Sequence, residues 1–309
     1  MRATMALRPL AWATLVANCV LVVTGGAVRL TGSGLGCPTW PRCTDRSFRP
    51  HGALDIHEAI EFGNRMLTFV LVAIAIATFV AAWRSGRRDL RTLGLALALG
   101  IPAQAIIGGI TVLTDLNPWV VSFHLLCSLA IIGLAVLLLW RLDHPAAGTG
   151  GGADVTLAGL TFAAGWLVLY VGTVVTGSGP HAGDVDSPRN GLNPLQVSQL
   201  HADLVFLFVG LTVGLLFAVR AAGRSAAVRR GVLLLLAVEL AQGSIGFVQY
   251  FTDLPEVLVG FHLLGAALVS ATATWVLLLV REAGAQPADT ERTTAGPHPR
   301  EQAMPSSSH

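Results

Sequence analysis

Along the chain, apolar residues run in long uninterrupted blocks separated by short polar stretches. Eight such blocks fall near 9–29, 60–83, 92–113, 119–140, 155–177, 198–219, 230–251 and 257–280. As a helix rising about 1.5 Å per residue, each is long enough to cross a hydrocarbon core of about 30 Å. The pattern therefore predicts an all-α integral membrane protein with eight transmembrane helices. The first block follows Arg2 and Arg8, as the apolar region of a signal peptide would. It has no clear small-residue cleavage site and continues through Gly25-Gly26 to Val28, so it counts as a helix. Composition agrees: 53% of residues are hydrophobic and 12% charged, whereas a soluble domain carries roughly a quarter charged. The formal net charge of +2 gives no reason to expect a nucleic acid partner.

Within these blocks the sequence repeats itself. Phe123-His124-Leu125-Leu126 recurs as Phe261-His262-Leu263-Leu264, and the same offset pairs Asp115 with Asp253, Gln104 with Gln242, and Ile107-Gly108 with Ile245-Gly246. Several positions in one register mark an internal duplication. The chain then divides into an N-terminal four-helix bundle (1–147), a Gly-rich linker (148–154), a C-terminal four-helix bundle (155–281) and a tail (282–309) too polar to bury a core. An even number of helices per half makes this a parallel repeat, two pseudo-symmetric bundles about an axis near the membrane normal.

Arginine placement sets the orientation. Arg84, Arg87, Arg88 and Arg91 crowd the connection between the second and third helices, and Arg220, Arg224, Arg229 and Arg230 that between the sixth and seventh. Both termini are expected in the cytoplasm, in a cell (plasma) membrane. The loop between the first two helices disagrees, with Arg29, Arg42, Arg46 and Arg49, but longer loops follow the rule less strictly.

Four histidines lie in or beside the spans: His57, His124, His201 and His262. All fall at the outer ends of even-numbered helices. A single intramembrane histidine is usually just a polar group bonded between helices. Two per half at one depth is an arrangement suited to holding haem iron axially. The halves are not identical. Aligned through Phe69 and Phe206, Asn64 stands opposite His201, while His57 lies two helical turns earlier on nearly the same face. Glu61, between them, has Ser198 as its counterpart. An intramembrane carboxylate is a functional candidate, although an ion pair with Arg65 would also explain it. Glu239, midway through the seventh helix, suits either a proton relay or a bond to a neighbouring helix.

Cys37 and Cys43 frame Pro38-Thr39-Trp40-Pro41-Arg42 in an outer loop. On an oxidising side they fit a disulfide or a redox-active dithiol, and the sequence leaves both open. Cys19 and Cys127 lie within spans and read as packing residues.

Taken together, Thr31-Gly32-Ser33-Gly34-Leu35-Gly36-Cys37-Pro38-Thr39-Trp40-Pro41-Arg42-Cys43, Ile60-Glu61-Phe62-Gly63-Asn64-Arg65, the two Phe-His-Leu-Leu sites and His201 resemble the heme A synthase family over residues 9–281. The resemblance implies oxidation of the C8 methyl of heme O to a formyl group, giving heme A for terminal oxidases. It implies heme O as substrate in the N-terminal half, on His124 and His57, and haem b as cofactor in the C-terminal half, on His201 and His262. It also implies a functional glutamate at Glu61 and a functional cysteine pair at Cys37 and Cys43. Arg29 or Arg65 would pair a propionate. Many members carry the first histidine where this chain has Asn64, so His57 is the expected substitute. Some carry a second cysteine pair in the loop after the fifth helix, which this chain lacks. Expected partners are the lipid bilayer, a heme O synthase upstream and an electron acceptor that the sequence does not name; a homo-oligomer is compatible with it. Two other classes compete: a di-haem b-type electron-transfer cytochrome, which leaves Glu61 and the cysteine loop unexplained, and a transporter, which leaves the shared histidine depth unexplained.

Overall fold

The computed structural model describes residues 2–49, 55–145 and 150–285. Eight helices follow in order: α1 (Arg2–Leu30), α2 (Ile56–Arg84), α3 (Arg88–Leu113), α4 (Pro118–Asp143), α5 (Ala153–Ser178), α6 (Pro194–Ala221), α7 (Ala226–Phe251) and α8 (Glu256–Ala285). All eight are long and apolar enough to cross a membrane. No strand occurs among the described residues; the loop after α1 holds one isolated bridge, Thr44 to Ser47.

Local chemistry explains several boundaries. Asn117 and Asn193 cap α4 and α6 through their side-chain oxygens, each followed by proline at the first helical position. That pairing supplies an acceptor for free amides and a residue with no amide to satisfy. Ser225 caps α7 in the same manner. α2 begins at Ile56, earlier than the apolar pattern predicts, because its polar first turn is held by the outer loop rather than by lipid. There His57 bonds Ser33 at 3.0 Å. α5 takes up Ala153 and Asp154 from the expected linker, and α8 continues to Ala285. The remainder of the expected tail, part of the linker, and His51, His298 and His309 lie outside the described residues.

Neighbour relations among the helices close into two rings. α1 packs on α2, α2 on α3, α3 on α4 and α4 on α1; α5 to α8 repeat the circuit. The rings join through α4 against α5 and α8, and α1 against α8. At this seam Ser270 on α8 donates to the carbonyl of Leu129 at 2.8 Å, and Gly133 lets α4 approach Thr274. Neither diagonal, α2 with α4 or α6 with α8, is among the closely packed pairs.

The repeated segments adopt the same local conformation. Asp115 and Leu116 have φ of 51° and 57°, and Asp253 and Leu254 have φ of 58° and 57°. A left-handed leucine is uncommon, so its appearance at both equivalent positions shows one turn built twice. In each turn an amide reaches back five residues, Leu116 to Thr111 and Leu254 to Gln249. The aromatic ring opening each Phe-His-Leu-Leu site faces outward: Phe123 and Phe261 are each 56% exposed, which suits contact with lipid chains.

Candidate functional site

Between α1 and α2 the chain folds back over the outer end of the first ring. A disulfide joins Cys37 and Cys43, both buried. Gly36 packs so tightly on α2 that a Cβ would stand 2.6 Å from the carbonyl oxygen of His57. Only glycine permits this approach. The loop thereby delivers the amide of Cys37 to Oε2 of Glu61, at 2.5 Å.

Glu61 is 5% exposed and both its oxygens are occupied. Oε1 accepts from Nε and Nη2 of Arg65, one helical turn along, at 3.1 and 2.5 Å. The remaining Arg65 donors go to the carbonyls of Thr39, Arg42 and Cys37. All five guanidinium N–H groups are thus spent within this loop and on Glu61. The ion pair and the loop attachment are one structure. A buried charge pair of this kind holds only when its other hydrogen-bonding valences are met, and here the loop backbone meets them.

Trp40, inside the disulfide loop, inserts against α3. Its indole occupies the space that a Cβ on Gly109 would need. The adjacent Gly108 faces the ring of His124, with a virtual Cβ 3.3 Å from Cε1. Gly246 stands in the same relation to His262 at 3.6 Å, and Gly172 to His201 at 3.1 Å. Each inward histidine therefore lies beside a glycine of the preceding helix. Gln104 and Gln242 donate to the backbone carbonyls of His124 and His262, at 3.2 and 2.9 Å. Neither the glycine partners nor these amide bonds show in local sequence pattern beyond the register of the repeat.

The Nδ1 atoms of His124, His201 and His262 are buried without hydrogen-bond partners. His201 and His262 are eighth and seventh in their helices, at the same level of the second ring. They stand on α6 and α8, the diagonal that is not closely packed. An unpartnered buried imidazole is costly unless something else occupies it, so these residues fit a flat, iron-bearing group between the helices.

His57 occupies a different level. It is the second residue of α2, whereas His124, His201 and His262 are seventh or eighth in their helices. Asn64, seven residues deeper than His57, stands nearer that depth, about 10 Å along the axis, and its Oδ1 is buried and unpartnered. The repeat register already sets Asn64 opposite His201, but no sequence pattern marks Glu58, whose Oε2 is buried and unpartnered in the first turn of α2.

Arg29 closes α1 yet reaches the other half, where it donates to the carbonyls of His181 and Thr176. Gly34 donates to the carbonyl of Gly183 at 2.8 Å. The two outer loops are therefore joined. Arg189 donates to the carbonyl of Pro180, next to His181, so two cations share this outer corner.

A family model described as cytochrome oxidase assembly protein (COX15-CtaA) matches residues 8–183, from α1 into the loop after α5. Among curated proteins, the chain is 29% identical over 143 residues to a heme A synthase of Geobacillus thermodenitrificans, covering 44% of each chain. It is 31% identical over 142 residues to a heme A synthase of Listeria welshimeri, covering 43% of this chain and 46% of the relative. The chain thus spans less than half the length of these relatives in the matched stretches. The family model covers more than half of the chain, and the protein belongs to the cytochrome oxidase assembly protein family.

Proposed function

We propose that this protein is a heme A synthase, oxidising the C8 methyl of heme O to a formyl group in its N-terminal half and passing the electrons out through haem b in its C-terminal half. One observation carries the reading. Both halves repeat the glutamine, glycine and histidine arrangement, but a carboxylate under a disulfide loop occurs in the N-terminal half, where the other half has Ser198. Haem binding calls for the repeated part; chemistry on one haem calls for the part that is not repeated.

In this reading His124 holds the substrate iron, with His57 or the unpartnered Asn64 side completing the site. His201 and His262 hold haem b, which supplies a one-electron carrier. Arg29, beside Arg189, faces a propionate; Arg65 has no free donor for that task. Oxidation of the methyl builds positive charge at the carbon and releases protons. With Cys37 and Arg65 on its two oxygens, Glu61 is poised less as a base than as a fixed negative charge beside that carbon. Preorganised charge of this kind lowers a barrier without reorganising during the reaction. The arginine-rich connections support an orientation with both termini in the cytoplasm and the histidines toward the outer face.

The deciding experiment is expression in a host that supplies heme O, followed by chromatography of the extracted haems. Heme A in the extract supports the reading. Bound haem with heme O unconverted favours an electron-transfer cytochrome, and protein without haem favours a transporter.

A further inference from the structure

Glu239 has no part in the chemistry assigned above, yet it is among the most buried polar residues in the molecule, at 3% exposure. It lies at the middle of α7. Thr212 of α6 donates to its Oε1 at 2.6 Å, while Oε2 is buried without a partner. The register of the repeat places Ile101 opposite Glu239 and Ala75 opposite Thr212, and these two belong to one small apolar cluster. The N-terminal half thus fills with hydrocarbon the position where the C-terminal half keeps a carboxyl group. Burying such a group needs a compensating role.

No charged group faces it. α7 packs on α6 and α8. The titratable residues of α6 are His201, Asp203 and Arg220; those of α8 are Glu256, His262, Arg281 and Glu282; α7 itself adds Arg229, Arg230 and Tyr250. All stand toward the helix ends. Glu239 is the one titratable side chain in the middle of these three helices. Along α7 it lies one turn from Gln242, which bonds the carbonyl of His262. Gly246, which faces His262, lies seven residues along α7, and His201 lies eleven residues from Thr212 along α6, so the carboxyl group stands about 10–16 Å from the histidine pair.

We infer that Glu239 is the proton acceptor coupled to reduction of the haem held by His201 and His262, an inference that rests on the haem reading above. Oε2 of Glu239 would take up one proton, released to the aqueous phase by oxidation of the substrate methyl, for each electron that the haem accepts from that methyl in turnover. The net charge of the buried region is then unchanged. When the electron leaves to the acceptor, the proton leaves too. At about 10–16 Å and an effective dielectric of about 20, one charge changes the proton affinity of the other by about 6- to 16-fold. Thr212 fixes which oxygen remains free.

The test is a mediated redox titration, across pH, of purified full-length protein, following the low-spin haem whose spectrum His262→Ala removes. The midpoint potential is expected to fall as pH rises in the parent protein and in Glu239→Asp, and to be flat over the same range in Glu239→Gln. The reduced-minus-oxidised infrared spectrum is expected to gain a protonated-carboxyl band that Glu239→Gln lacks. A pH-independent potential in the parent, or an unchanged slope in Glu239→Gln, overturns the inference while leaving the haem reading in place. Parent protein with no such haem overturns both.

Discussion

The backbone amide of Cys37 donates to Oε2 of Glu61 at 2.5 Å, across 24 positions of sequence. The cysteine that closes the outer loop is thus also the residue that holds the buried carboxylate. Arg65 completes the link by binding Glu61 and the carbonyl of Cys37 together. The state of the loop and the position of the carboxylate are coupled by geometry.

Opening the loop is therefore expected to act on Glu61. Cys43→Ser removes the disulfide but keeps the Cys37 amide. A ring this small, with the cysteines six apart, contributes about 2 kcal/mol by restricting the unfolded chain. Thermal melts should show that loss, and turnover should fall more than stability alone explains. In the parent protein both thiols should resist alkylation until reduced; free labelling of native, active protein would remove the disulfide from the account.

The histidine assignments make a separable prediction. If the proposed ligation holds, His201→Ala or His262→Ala should abolish the low-spin spectrum of haem b, because each would remove one axial ligand. Optical and electron paramagnetic resonance spectra of the purified variants check this. Retention of an unchanged low-spin signal in both variants contradicts it.

Two of the glycines beside the histidine rings, Gly108 and Gly172, leave a methyl group tight against the imidazole, whereas Gly246 leaves ordinary contact distance. Gly108→Ala places a carbon 3.3 Å from Cε1 of His124, and relieving such crowding typically costs about 1–3 kcal/mol. The spectrum of the N-terminal haem should change while that of His201 and His262 does not. Gly63→Ala, which meets nothing within 4 Å, is the control: helix propensity alone predicts a gain of up to about 1 kcal/mol.

Trp40 and Gly109 should behave as one unit. Gly109→Ala must expel the indole and loosen the disulfide loop, at about 1–3 kcal/mol. Adding Trp40→Ala should recover much of that loss. A double-mutant cycle read by thermal melts measures the coupling; additive effects would mean the two do not pack together.

The helices were legible because membrane spans write themselves in continuous apolar blocks, and the duplication because His124, Gln104 and Asp115 recur in one register. Helix ends were less so. α2 starts at Ile56 because the outer loop shelters its polar first turn, and that loop approaches from distant sequence. The same limit hid the engagement of every Arg65 donor, the seat of Trp40 on Gly109, and the bond from Thr212 to Glu239. Such contacts depend on which helices become neighbours, and no local period encodes that. Arg29 shows the point from the other side: it belongs to α1 by sequence but bonds the loop after α5.

The central claim, that Glu61 performs chemistry on one haem rather than only bracing the loop, is tested most directly by the ratio of heme A to heme O extracted from Glu61→Gln. Glutamine keeps the volume and an acceptor oxygen for the Cys37 amide but removes the negative charge. Loss of a charge aimed at the reacting centre typically lowers turnover by about 10²–10³-fold. The account predicts that the variant folds, carries haem on His201 and His262, and accumulates heme O or a partly oxidised haem. A heme A to heme O ratio equal to that of the parent protein would contradict it.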